Sequence, residues 1–136
     1  MKAEIRLKFP PFFFSMSFGR YRESYGICSI VKDEPSKHHL LLDVDCKSQD
    51  FLDYLKENYP NVPKIVYSTK NGYHGIIDLH LSLREVSKHI IRCPFTDINW
   101  FALGLKRGYW YLEYKTHPVF LFNIPDLTFM RVERIE

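Results

Sequence analysis

The period of apolar and polar positions changes several times along the chain, and each change predicts an element. Residues 38–46, HHLLLDVDC, are apolar, β-compatible and too brief for a helix, so they predict a strand. Ser48 follows as an N-cap, and Phe51, Leu52, Leu55 and Tyr59 recur at helical spacing until Pro60 closes the helix. KIVYST, after Pro63, and YHGIIDLHL predict two strands joined across the KNG turn at 70–72, a hairpin over 64–79. SLRE at 82–85 is a capping box opening a second helix, with Leu83, Val86 and Ile90 as its apolar stripe and Pro94 as its end. From Ile98 to Tyr114, two aromatic-rich stretches flank KRG and predict another hairpin. Ahead of these, residues 1–36 give mixed signals, with a strand over Tyr25–Val31. The tail, 117–136, predicts one or two strands with a turn at Pro125–Asp126.

The order across 38–105 is β-α-β-β-α-β, an α+β class matching the split βαβ, ferredoxin-like arrangement that RRM domains share. The whole chain reads as a single domain. An N-terminal αβ or strand extension (1–36) precedes an RRM-like core (38–116), and C-terminal strands (117–136) follow. In such a fold both helices cover one sheet face and leave the other open. Side chains alternate along a strand. Leu40, Leu42 and Val44 are therefore expected under the helices, and Leu41, Asp43 and Asp45 on the open face.

Length and composition narrow the picture further. A chain of 136 residues, 46% apolar, can bury a core without disulfides. Its net charge of +3 permits a polyanionic partner without demanding one. The three cysteines, Cys28, Cys46 and Cys93, are widely spaced and include no CxxC, so no zinc site is expected. Reduced thiols and the lack of a long apolar stretch suit a cytoplasmic protein with no membrane partner.

Three stretches carry candidate chemistry. Asp43 and Asp45 are either acids at a solvated strand end or a pair whose repulsion a hard divalent cation would relieve. Around Gly72, the residues Ser68, Lys70, Asn71 and His74 make either a polar hairpin turn or a phosphate cradle, in which Gly72 would take positive φ and admit a ligand. Asp97 in CPFTDINW is a helix cap, a turn residue or a third acid. Asp78, four residues beyond His74 on one strand face, is its rival. His38 and His39 read as residues at the start of a strand. Basic and aromatic residues alternate over Leu105–His117, which suits either single-stranded nucleic acid or a packed hairpin.

Together these pieces resemble the archaeo-eukaryotic primase superfamily. LLLDVD is similar to its first acidic motif at Asp43 and Asp45, and STKNGYH to its S-x-x-x-G-x-H motif at Ser68, Gly72 and His74. FTD resembles its third motif at Asp97, and YRESYG an upstream element at Arg22, Glu23, Tyr25 and Gly26. The resemblance covers roughly residues 20–115 and implies a minimal catalytic core, of a size seen in mobile-element or viral members, without the zinc-binding module of many replicative primases. It implies template-dependent nucleotidyl transfer with two ions, Mg²⁺ or Mn²⁺, on Asp43, Asp45 and Asp97. Ser68, Lys70, Asn71, Gly72, His74 and Arg22 would bind the phosphates of an NTP or dNTP. A single-stranded DNA template and a helicase or second primase subunit are the implied partners. The alternatives are a non-catalytic, RRM-like module for single-stranded nucleic acid and an inactive primase-fold accessory protein. A rolling-circle-type nuclease would need a His-apolar-His pair, and His74 and His80 are too far apart in sequence.

Overall fold

The computed structural model describes residues 2–9, 12–19, 21–114 and 124–135, with the side chains of 25–114 and 124–130. The fold is α+β: nine strands in three antiparallel sheets and three helices among these residues.

β1 (Lys2–Phe9) and β2 (Phe12–Gly19) form a two-stranded hairpin. β3 (Tyr21–Cys28) runs between β8 (Tyr111–Tyr114) and β9 (Thr128–Ile135). The main sheet has the order β4-β5-β7-β6, with β4 (Ile30–Val31), β5 (Glu34–Val44), β7 (Tyr73–Leu81) and β6 (Lys64–Ser68). The described residues of the N-terminal unit are mostly strand, and its β3 pairs with strands from near the other end of the chain.

α1 (Gln49–Asn58) joins β5 to β6, and β7 lies between those two strands. This is a split βαβ. Local signals set α1: the Ser48 hydroxyl accepts from the Asp50 amide, and Phe51 and Leu55 are buried. α2 (Leu83–Arg92) opens with the expected capping box between Ser82 and Glu85. Val86 and Ile90 of its stripe are buried, whereas Leu83 is exposed.

The hairpin expected over Ile98–Tyr114 is replaced by α3 (Ile98–Arg107) and β8. The Asp97 carboxylate accepts from the Asn99 amide, and Gly108 closes the helix at φ 90°, where glycine is unstrained. Lys106 and Arg107 occupy the last turn, beside the negative end of the helix dipole. The aromatic residues that suggested a strand instead build a wedge under α3. Trp110 is fully buried, stacks on Phe101 at 5.9 Å and donates its indole N–H to the Phe101 carbonyl. A Cβ on Gly104 would sit 2.0 Å from the Trp110 ring, so only glycine admits the indole there.

This helix also changes the sheet. The strand after α2 that would complete β-α-β-β-α-β does not lie beside β5. That place belongs to β4, and β8 pairs with β3.

Both faces of the main sheet are covered. Leu40, Leu42 and Val44 pack with Phe51, Leu55, Val86 and Ile90 on the helix side, as expected. The opposite face was expected to be open, yet Leu41 and Ile76 pack there with Ile27, Leu112, Ile124 and Leu127. Burial on both sides explains the nearly continuous apolar run in β5. Only the two ends of this second face carry polar side chains in number.

Candidate functional site

One polar end is built around Asp43. β5 stops at Val44, so Asp45 lies just past the strand, and its relation to Asp43 is set by the chain's exit, not by strand alternation. Asp43 is paired across the sheet with His74, and His74 with Tyr67. The His74 Nε2 lies 3.4 Å from an Asp43 carboxylate oxygen. The rings of Tyr67 and Tyr114 stand edge-on to His74 at 5.5 and 5.6 Å. Burial, and then the Asp43 charge, push the Tyr67 phenol far above the usual tyrosine range.

Asp97 arrives from the other side. Its backbone N–H donates to the Asp43 carbonyl at 2.9 Å, and Thr96 bridges to Val44. The first turn of α3 is thereby anchored to the end of β5, which brings Asp97 near Asp45 and the strand that carries Asp43. The Asp45 carboxyl is held above the ordinary aspartate range. Desolvation contributes most, followed by the Asp43 charge and a hydrogen bond and charge from Asp97, while His74 pulls the other way.

A cleft of about 390 Å³ opens at this point, lined among others by Asp43, His74, Asp97, Trp100, Arg107 and Tyr111. That volume lies in the range of small-ligand sites. The Arg107 guanidinium lies over the Tyr111 ring at 4.5 Å and the Tyr109 ring at 5.3 Å. Arg107 belongs to the basic and aromatic Leu105–His117 stretch but is not singled out by the sequence. Its signal was the position of a cation in the last turn of a helix whose N-cap is Asp97.

The glycine turn contributes less than its motif suggested. Gly72 is buried and does not take positive φ. A Cβ there would lie 1.7 Å from the Val44 carbonyl oxygen, so glycine is needed to seat the turn against the end of β5, and a ligand has no access there. The turn is held by the Thr69 amide donating to the Gly72 carbonyl and the Gly72 amide to the Thr69 hydroxyl. Ser68 pairs with Tyr73 and faces away from the Tyr67–His74–Asp43 row. Lys70 and Asn71 are exposed at the hairpin tip, outside the cleft lining. Arg22 lies on β3 opposite Arg134, and its side chain is outside the described residues.

Asp78 does not join Asp43. It stands at the other polar end of the sheet, with His39 and His80. His39, expected at the start of a strand, lies inside β5 and is fully buried.

Carboxylates are the donor type that a hard divalent cation takes, but the oxygens of Asp43, Asp45 and Asp97 do not all lie within 4.8 Å of one another. The three acids are more widely set than the His39–Asp78–His80 group, which is the group among the described residues with three ligand atoms within 4.8 Å of one another.

No protein-family model, no curated protein and no solved structure matches the chain. No helix among the described residues is long and apolar enough to cross a membrane.

Proposed function

We propose that the chain is a template-dependent nucleotidyltransferase of the primase or primase-polymerase type, working at the Asp43 cleft. The observation that carries this reading is that Asp43, Asp97 and His74, from separate motifs, line one cleft, with Asp45 beside Asp43 and Asp97 just outside its lining. The split βαβ of β5, α1 and β6 around β7 supports an RRM-like core, in which β4 stands where the last strand of that arrangement is expected.

In this reading Asp43, Asp45 and Asp97 hold two divalent ions. Bound there, Mg²⁺ or Mn²⁺ would lower the pKa of an attacking 3′-hydroxyl and neutralise charge on the leaving pyrophosphate. His74, paired with Asp43, and Arg107, both in the cleft lining, meet the triphosphate of an NTP or dNTP. Lys70 adds a long-armed cation from the hairpin tip. The Asp97 amide bond to Asp43 keeps the third acid in register with the first, and positioning of this kind carries most of the catalysis in phosphoryl and nucleotidyl transfer.

The test is nucleotide incorporation on a single-stranded DNA template with Mg²⁺ or Mn²⁺. Asp43→Asn combined with Asp45→Asn is expected to abolish it. Synthesis that survives the double substitution removes the reading.

A second reading is favoured by the Arg107–Tyr111 stack on the cleft wall: a binding module for single strands, without catalysis. There the two acids only repel phosphate, so the same double substitution tightens binding, and wild-type protein makes no product.

A further inference from the structure

We propose that His39, Asp78 and His80 form a second metal site, for a divalent transition ion of the zinc class. It lies about 13 Å along β5 from Asp43, four residues at the usual strand rise, and does not depend on the nucleotidyl-transfer reading.

A break in register builds it. His38 pairs with Leu81 and Leu40 with Ile77, so His39 alone stands opposite Asp78, Leu79 and His80. Strand alternation already puts Asp78 and His80 on the face of His39, and the break sets both of them opposite that one residue. The His39 Nδ1 lies 3.4 Å from an Asp78 oxygen, and the His80 Nε2 lies 3.4 Å from the same oxygen. Ligand atoms about 2.0–2.1 Å from a tetrahedral zinc ion stand roughly 3.4 Å apart. Both edges have that length.

The hydrogen bonding leaves a gap that a cation fills. The His39 Nε2–H donates to the Asp126 carbonyl at 3.1 Å, which directs the Nδ1 lone pair at Asp78. An acceptor then faces an acceptor. His39 Nδ1 and Asp78 Oδ1 are both buried without a hydrogen-bond partner, in a histidine that is fully buried. Such pairs are uncommon unless an ion or a proton lies between them. A proton would make a buried imidazolium, which burial disfavours.

The surroundings match those of bound metals. Metal-ligating histidines usually give their second nitrogen to a carbonyl or carboxylate. His39 has the Asp126 carbonyl, and the His80 Nδ1 lies 3.3 Å from a Glu34 oxygen. An Asp126 carboxylate oxygen, 3.7 Å from the His80 Nε2, is placed to be a fourth ligand. Two imidazoles and a carboxylate select zinc-like ions over Mg²⁺ or Ca²⁺. His80, Glu34 and Asp126 are partly exposed and give the ion a route from solvent. Held there, the ion would tie β5 and β7 to the turn that leads into β9.

The experiment is titration of chelator-treated full-length protein with Co²⁺, followed by visible absorption and displacement with Zn²⁺. One equivalent with the intense bands of tetrahedral Co²⁺ is expected. His80→Ala and Asp78→Asn should lose it, while Asp43→Asn with Asp45→Asn should keep it. Glu34→Gln should weaken zinc binding by roughly 10–100-fold. Far-UV circular dichroism checks that the variants fold, and the wild-type titration decides the matter even if they do not. Wild type without the tetrahedral Co²⁺ bands, bands that survive His80→Ala, or an NMR signal from a proton on His39 Nδ1 in zinc-saturated protein overturns the proposal.

Discussion

The Asp97 amide donates to the Asp43 carbonyl across 2.9 Å, so the N-cap of α3 is fastened to the end of β5. Asp97 therefore has two separable duties, capping a helix and presenting a charge. Asparagine caps about as well as aspartate, and alanine costs about 1 kcal/mol. Asp97→Asn should keep the melting temperature near wild type yet lower nucleotide incorporation by about a hundredfold or more, on the scale of other charge-stabilising groups. Asp97→Ala should lose stability as well. An Asn variant with full activity would reduce Asp97 to a cap.

Asp45 has its carboxyl pushed up by desolvation and then by its two acidic neighbours. A raised folded-state pKa means that its contribution to stability is present below the ordinary aspartate range and is lost as the pH rises through the raised value. Metal-free Asp45→Asn should therefore melt at or above wild type at pH 7, and the gain should vanish in acid. Mn²⁺ should raise the wild-type melting temperature and leave the variant's largely unmoved. Scanning fluorimetry across pH, with and without Mn²⁺, checks both.

His38 sits in a buried relay. The Trp110 backbone N–H donates to the Ser29 hydroxyl, which in turn donates to the His38 Nδ1 at 2.9 Å. Burial lowers the His38 pKa. The neutral ring is the form this relay accepts, so its stability is present above the ordinary histidine range and is lost as the pH falls through the lowered folded-state value. Denaturant melts of chelated protein should show stability falling from pH 7 toward pH 5. Ser29→Ala leaves a buried donor and a buried acceptor unpaired and should cost about 1–3 kcal/mol at pH 7.

Gly72→Ala places a methyl group against the Val44 carbonyl, backbone that cannot rotate away. The cost should be about 3 kcal/mol, the upper end for overpacking. The displaced Val44–Asp45 segment should also weaken Mn²⁺ binding, measurable by electron paramagnetic resonance. Gly72→Ala with wild-type stability would place the turn elsewhere.

Much of the helix-side architecture was legible because its signals are local. Ser48, the Ser82–Glu85 box and the β6–β7 hairpin each follow from a few neighbouring residues. α3 is masked in the sequence because Trp100, Phe101, Trp110 and Tyr111 are residue types that favour strands. Its caps, Asp97 and Gly108, were present and mark a helix of that length. The covered second face was not legible, since Ile27, Leu112 and Ile124 come from distant segments. Asp43, Asp45 and Asp97 could be named from motif order, while Arg107 needed the helix. The His39–Asp78–His80 group depends on a register break between strands far apart in sequence, which no local pattern reports.

The measurement that tests the central claim most directly is a crystal soaked with Mn²⁺ and a non-hydrolysable nucleoside triphosphate, with anomalous scattering recorded at the manganese edge. Anomalous peaks among the carboxylates of Asp43, Asp45 and Asp97, with the triphosphate reaching toward His74 and Arg107, are the predicted result. A cleft without manganese at saturating metal and nucleotide, or a triphosphate bound away from it, would contradict the account.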